Sequence, residues 1–344
     1  MKITSFLPSI IFSVICLGIA ALYAVDSGKP LATFMMLVVI LSILEISLSF
    51  DNAVVNATVL EDMDERWRRY FLTWGILIAV FGMRLVFPIL IVAVTANILP
   101  GDVLTMALDH PLQYAEIIAS SHVEVGAFGG MFLLLVFLTF IFDSKKTLHW
   151  LQFIEAKFAE IGKLESVEII FALLILLIAQ SFLPVEARLG ALTYGIGGVM
   201  LYVMVDSVSK FVSAEGASGI KRSGAMGFLY LEILDASFSF DGVLGAFAIT
   251  TDIVVIMLGL AIGAMFVRNM TIFLVEQGTL NEYAFLEHGA HYAIGALALT
   301  MLTTMVMEIP ELITGLTGIV IIGLSFYSSI QYRKRNKPTA IRKF

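Results

Sequence analysis

Five carboxylates lie inside long apolar runs of this chain: Glu45, Asp51, Glu232, Asp235 and Asp241. Each costs about 2.5–3.5 kcal/mol at the centre of a membrane helix on insertion scales. Arg84 and Arg268 are the only cations at comparable depth in the sequence. With all seven groups ionised, negative charge is in excess, and protons, a bound cation or both must neutralise it. The donors nearby are all oxygens: the carboxylates, the Asn52 amide, the hydroxyls of Ser47, Ser49, Ser237 and Ser239, and any backbone carbonyls freed from a helix. Neither Cys nor His falls in these segments. Hard or borderline divalent ions such as Mn²⁺, Mg²⁺ or Ca²⁺ suit that set better than Zn²⁺ or Cu⁺.

The acids occupy two segments that repeat each other. Residues 45–55 read EISLSFDNAVV and residues 235–245 read DASFSFDGVLG. Glu45 aligns with Asp235, Ser47 with Ser237, Ser49 with Ser239, Phe50 with Phe240 and Asp51 with Asp241. The next apolar run of each half carries a glycine nine residues before an arginine, Gly75 to Arg84 and Gly259 to Arg268. A weaker third match leads from His122 into Gly126-Ala127 and from His291 into Gly295-Ala296. Self-similarity of this kind signals a duplicated architecture.

These segments must be positioned by membrane helices. The chain of 344 residues is 59% hydrophobic and 14% charged, with no apolar surface budget for a soluble fold. Apolar stretches predict ten spans, at 5–25, 31–60, 71–98, 125–142, 166–183, 186–206, 225–250, 252–276, 290–308 and 310–330. The expectation is one all-α transmembrane domain over 1–344. It comprises a first repeat at 31–142, an amphipathic connector at 143–165, linking helices at 166–224, a second repeat at 225–308 and a basic tail at 331–344. Equivalent positions are five helices apart, an odd step, so the three-helix repeats would be inverted, an arrangement in which secondary transporters place their substrate near the bilayer midplane.

Basic residues set the expected orientation. A cytoplasmic N-terminus gives the inner loops Arg66, Arg68, Arg69, Lys145, Lys146, Lys157, Lys163, Lys210, Lys221 and Arg222, while the outer loops keep only Lys29 and Arg188. The tail adds Arg333, Lys334, Arg335, Lys337, Arg342 and Lys343, and the outer segment 99–124 has no Lys or Arg. In the connector, Trp150, Ile154, Phe158 and Ile161 recur at helical spacing, as in a helix lying on the cytoplasmic membrane surface. The single cysteine, Cys16, excludes an internal disulfide and a cysteine-based zinc site. No basic aromatic surface supports nucleic-acid binding. No P-loop sequence supports direct ATP coupling.

Residues six apart on an ideal helix differ by about 120° in direction. Convergence of Glu45 with Asp51, and of Asp235 with Asp241, therefore predicts interruptions at both Ser-Phe-Asp sequences, with Gly242 easing the second. Other readings of the residues stand beside the ion site. The acids could pair structurally with Arg84 and Arg268, which would act as counter-ions or gates, in a membrane scaffold or metal-stress accessory protein. Phe50-Asp51 and Phe240-Asp241 could form an aspartyl protease dyad, although no Gly-x-Gly-Asp sequence precedes either aspartate.

At these motifs the sequence resembles the TerC family of integral membrane proteins. That family has a glutamate six residues before Asp-Asn-Ala, here Glu45 and Asp51-Asn52-Ala53. Its second signature, Glu-x-x-Asp-x-x-Phe-x-x-Asp, is here Glu232, Asp235, Phe238 and Asp241. The resemblance runs over the second to ninth spans and departs at Gly242, where the family has serine, as in a divergent branch. It implies a non-enzymatic manganese exporter of the LysE-type transporter superfamily, in a bacterial inner (plasma) membrane. Asp51, Asp241, Glu45, Asp235, Glu232 and Asn52 would line the metal site, with Arg84, Arg268, Ser49 and Ser239 as accessory or gating groups. The divalent cation would be substrate, with no resident cofactor, and protons are the candidate counter-ion.

The basic-residue distribution predicts that a fluorescent protein fused after Phe344 is bright and that an alkaline phosphatase fused there is inactive. The same phosphatase placed after His110 should be active, and the reverse result would invert the topology.

Overall fold

The computed structural model describes residues 6–61, 63–95, 98–215, 224–276, 283–307 and 309–335. Lys2, Lys221, Arg222, Glu308, Lys337, Arg342 and Lys343 lie outside these residues, as do the side chains of Lys210, Phe240 and Asp241. Among the described residues the regular structure is entirely helical.

Helices α1 (Leu7–Asp26), α2 (Leu31–Leu48), α3 (Phe50–Glu61) and α4 (Glu65–Leu77) follow in order. Asp64 caps α4, its carboxylate accepting from the Trp67 N–H at 3.0 Å. A π-helical segment, Ile78–Val86, continues α4 into α5 (Phe87–Thr95). The acidic segment forms two short helices, α6 (Pro100–Asp109) and α7 (Pro111–Ser120), each opening on a proline that needs no N–H partner. Then come α8 (His122–Ile141), α9 (Gln152–Ile161), α10 (Val167–Ser181) and α11 (Val185–Glu215). The chain continues through α12 (Gly224–Ile249), α13 (Ile253–Glu276), α14 (Leu286–Thr304) and α15 (Glu311–Arg335).

This is an all-α membrane protein. Five described helices are long and apolar enough to cross a bilayer: Leu7–Asp26, Leu31–Leu48, His122–Ile141, Val185–Ser207 and Ile253–Glu276. The other expected spans correspond to helices that are shorter, interrupted or richer in charge. The stretch 31–60 breaks at Ser49, and 71–98 changes helical pitch at Ile78–Val86. α1 leaves Val14 and Leu22 exposed, as a helix facing acyl chains does.

α8 is apolar nearly all round and accordingly buried along most of its length. It packs against α10, α11 and α14. α13 lies against α2 and α3, while α12 lies against α4 and the π-helical segment. Each of the contacts α13 with α2, α12 with α4 and α8 with α14 joins a helix of residues 31–142 to one of residues 225–308.

Small residues set the closest approach. Gly259 and Gly263, four apart on one face of α13, meet Val38, Leu41, Ser42 and Glu45 of α2. A Cβ on Gly263 would come within 2.4 Å of Glu45 Cβ and 2.9 Å of the Ser42 carbonyl oxygen. Backbone cannot yield locally there, so α13 would have to move as a body. Gly263→Ala should lower stability by about 1–3 kcal/mol, the usual cost of overpacking. Thermal unfolding in detergent should show it, whereas Gly18→Ala, with nothing within 4 Å of the added carbon, should leave the midpoint unchanged.

Candidate functional site

Arg84 enters the interior from the π-helical segment, where the wider turn re-aims side chains relative to a straight α-helix. Its guanidinium donates to Glu45 Oε1 in a direct ion pair. Both groups are almost wholly enclosed, Glu45 at 1% and Arg84 at 6% exposure. Ser49, at the break between α2 and α3, donates its hydroxyl to the same carboxylate oxygen at 2.9 Å. On the other side Glu45 Oε2 lies 2.8 Å from where a Cβ of Gly242 would sit. Glu45 thus joins α2 to the π-helical segment, α12 and α13.

That contact explains a departure from the sequence expectation. The interruption occurs at Ser49, but α12 runs unbroken through Ser239, Phe240 and Asp241. Gly242 provides room for the Glu45 carboxylate and is not a hinge. Positions 235 and 241 therefore lie about 120° apart around a continuous helix. The Asp241 side chain lies outside the described residues.

Next to the Glu45–Arg84 pair is a cavity of about 40 Å³, lined by Ser49, Asn52, Asn56, Phe71, Gly75, Arg84, Asp235, Ala264, Val267, Arg268 and Thr271. Both sequence repeats contribute. Asn52 and Asn56, four apart, share one face of α3, and Arg268 and Thr271, three apart, share one face of α13. Glu232 borders the cavity, its Oε1 3.1 Å from where a Cβ of Gly75 would sit. Among the described residues several enclosed polar atoms here have no hydrogen-bond partner: Asn52 Oδ1, Asn56 Oδ1, Glu232 Oε1, Asp235 Oδ2 and Arg268 Nε. Orphaned polar atoms are costly in an apolar interior, so a cluster of them marks where a solvent molecule or ligand binds.

Of the six expected ligands, Asn52 and Asp235 line this cavity and Glu232 adjoins it. Glu45 is separated from it by Arg84 and Ser49. Asp51 is buried but faces the last helix, with Oδ2 2.7 Å from where a Cβ of Gly318 in α15 would sit, and Oδ1 accepts from the Asn52 N–H at 3.0 Å. Ser239 is buried with an unpartnered hydroxyl outside the lining, and Ser47 turns outward to bond the Ile43 carbonyl. Among the described residues no three His, Cys, Asp or Glu side chains converge as a metal cage. Sequence reasoning did not assign Thr271 to this site, although its helical spacing from Arg268 could have done so.

The ion pair yields a two-step test. Arg84→Met leaves the Glu45 carboxylate buried without its cation and should destabilise by about 3–5 kcal/mol. Adding Glu45→Met should recover most of that loss, measured by unfolding of both variants. Additive losses would sink the pairing.

No curated protein sequence and no solved structure matches the chain. One family model matches residues 50–336, from the break after α2 to the end of α15, and its description is "Protein of unknown function (DUF475)". The chain is therefore a member of the DUF475 family.

Proposed function

We propose that this protein is a secondary transporter for a small cation, exporting a divalent metal such as Mn²⁺ in exchange for protons. The observation that carries the reading is the interior cavity built by both repeats, with enclosed oxygens that no protein donor satisfies. Its volume of about 40 Å³ holds about three water-sized bodies at most, which suits an ion with a water or two and excludes an amino acid or nucleotide. Charge supports the same sign of cargo. Counted by charge, the deep acids Glu45, Asp51, Glu232 and Asp235 outnumber the deep arginines Arg84 and Arg268. The sequence resemblance to the TerC family agrees with it.

The reciprocal packing of α13 on α2, α12 on α4 and α8 on α14 is what an inverted pair of repeats would make, and rocking one repeat against the other would alternate access to a site between them. Protonation of Glu232 and Asp235 would weaken a bound cation, and cation entry would displace the protons. A second reading, a membrane scaffold, has one observation in its favour. The Glu45–Arg84 pair is complete without any ligand.

Purified protein in liposomes, offered Mn²⁺, Mg²⁺, Ca²⁺ and Zn²⁺ at two pH values, separates these readings. Mn²⁺ flux should exceed that of empty liposomes and should acidify or alkalinise the lumen in step. Asp235→Asn should reduce flux by about tenfold or more, the worth of one charge-assisted contact. Absence of flux for every ion favours the scaffold, and unimpaired flux in Asp235→Asn removes this cavity from the pathway.

A further inference from the structure

The two matched motifs stand in different local states, and the differences all point the same way. In the first, the helix breaks at Ser49 and a π-helical segment surrounds Arg84. Glu45 pairs with Arg84, and Ser49 donates to the same carboxylate. The second motif aligns Asp235 with Glu45, Ser239 with Ser49 and Arg268 with Arg84. There α12 runs unbroken past Ser239, and α13 is regular α-helix around Arg268. Among the described residues no ion pair joins Asp235 to Arg268, and Asp235 Oδ2, the buried Ser239 hydroxyl and Arg268 Nε have no hydrogen-bond partner. One motif is closed on itself and its counterpart is open.

The open counterpart carries the groups it needs to close. Asp235 and Arg268 line the same cavity of about 40 Å³, a space of a few solvent molecules at most. Ser239 lies four residues after Asp235, the spacing at which Ser49 reaches Glu45 from the break in the first motif. The room beside the carboxylate also has its match. Gly242 leaves space for Glu45, and the residue aligned with Gly242 is Asn52. Asn52 lines the cavity, and its amide can donate to a carboxylate. Two inverted copies of one motif allow two arrangements, each with a different copy closed, and passing between them turns the site to the other face of the membrane. Opening one buried pair strands its charges, so the step is feasible when the other pair closes in compensation.

We propose that Asp235 and Arg268, supported by Ser239, form a second ion pair that closes as the Glu45–Arg84 pair opens. The inference rests on the transporter reading and deepens it. In the state described above, Asp235 is available to a cation in the cavity. In the alternate state the Arg268 guanidinium takes that cation's place against Asp235 and so drives its release. The helix break would pass from Ser49 to Ser239, and the wide turn from the residues around Arg84 to those around Arg268. A rigid scaffold held by one structural pair has no such second state.

Hydrogen exchange of the full chain in lipid nanodiscs tests the second pair without any flux measurement, so failure of the liposome assay and failure of this one are distinguishable. Glu45→Met with Arg84→Met removes the first pair without stranding a charge and leaves the second able to close. Relative to wild type, amides 239–243 of α12 should lose protection by about tenfold or more, and amides 50–52 after the Ser49 break should gain by a similar factor. Adding Asp235→Asn removes the second pair and should shrink both changes to under about threefold. Residues 126–138 of α8 serve as the folded control and should not change. If the double variant loses protection there as well, Ser49→Ala carries the test. It should move both segments in the same directions by about threefold, the worth of one hydrogen bond. Unchanged protection at 239–243, a fall there without a gain at 50–52, or changes that survive Asp235→Asn overturn the proposal.

Discussion

A single ion pair in the interior constrains most of what surrounds it. Glu45 and Arg84 are both removed from solvent, where the attraction between opposite charges must offset the loss of hydration of each. That balance holds only if the partners approach closely and their remaining donors and acceptors are met. The π-helical turn aims Arg84, the break at Ser49 brings a hydroxyl to the same carboxylate, and Gly242 and Gly263 leave the space that side chains would occupy. Four elements therefore meet at Glu45, two from each half of the chain. None can shift far without exposing a buried charge to an apolar environment.

With that pair accounting for one acid and one arginine, the polar groups left over have a different character. Asn52, Asn56, Asp235 and Arg268 surround a small space and keep atoms unsatisfied, while Glu232 waits at its edge. A protein evolved for packing alone has little reason to enclose such atoms together, since each would be cheaper as an apolar isostere. The arrangement separates a mutually satisfied ion pair from a neighbouring set of enclosed polar atoms left without hydrogen bonds among the described residues. Asp51, although within the same motif as Asn52, belongs to the contact with α15, a helix outside both sequence repeats.

The connector shows the same separation at the edge of the helical body. Its outward apolar side chains suit an interface, whereas Glu155 binds inward through backbone amides, a lysine, two imidazoles and a tyrosine. A segment remote in sequence from α14 is thus fastened to it through one buried carboxylate, much as Glu45 fastens the interior helices.

Membrane class and the polar positions inside it were legible in the residues themselves. Apolar runs of span length and carboxylates within them are local properties of the chain, and the matched spacing of 45–55 with 235–245 needs no coordinates. Helical phase pointed to a break at each Ser-Phe-Asp sequence; only the one at Ser49 occurs, and even there Glu45 and Asp51 take different partners instead of converging. What the chain alone left open was the partner of each buried group. Glu45 took Arg84 from 39 residues away, Asp51 took the Gly318 face of the last helix, and Glu155 took His288 from 133 residues away. Those choices depend on which helices approach and how closely. The glycine contacts on α13, α12 and α15 and the nine-residue π turn around Arg84 decide that, through packing that no local pattern encodes.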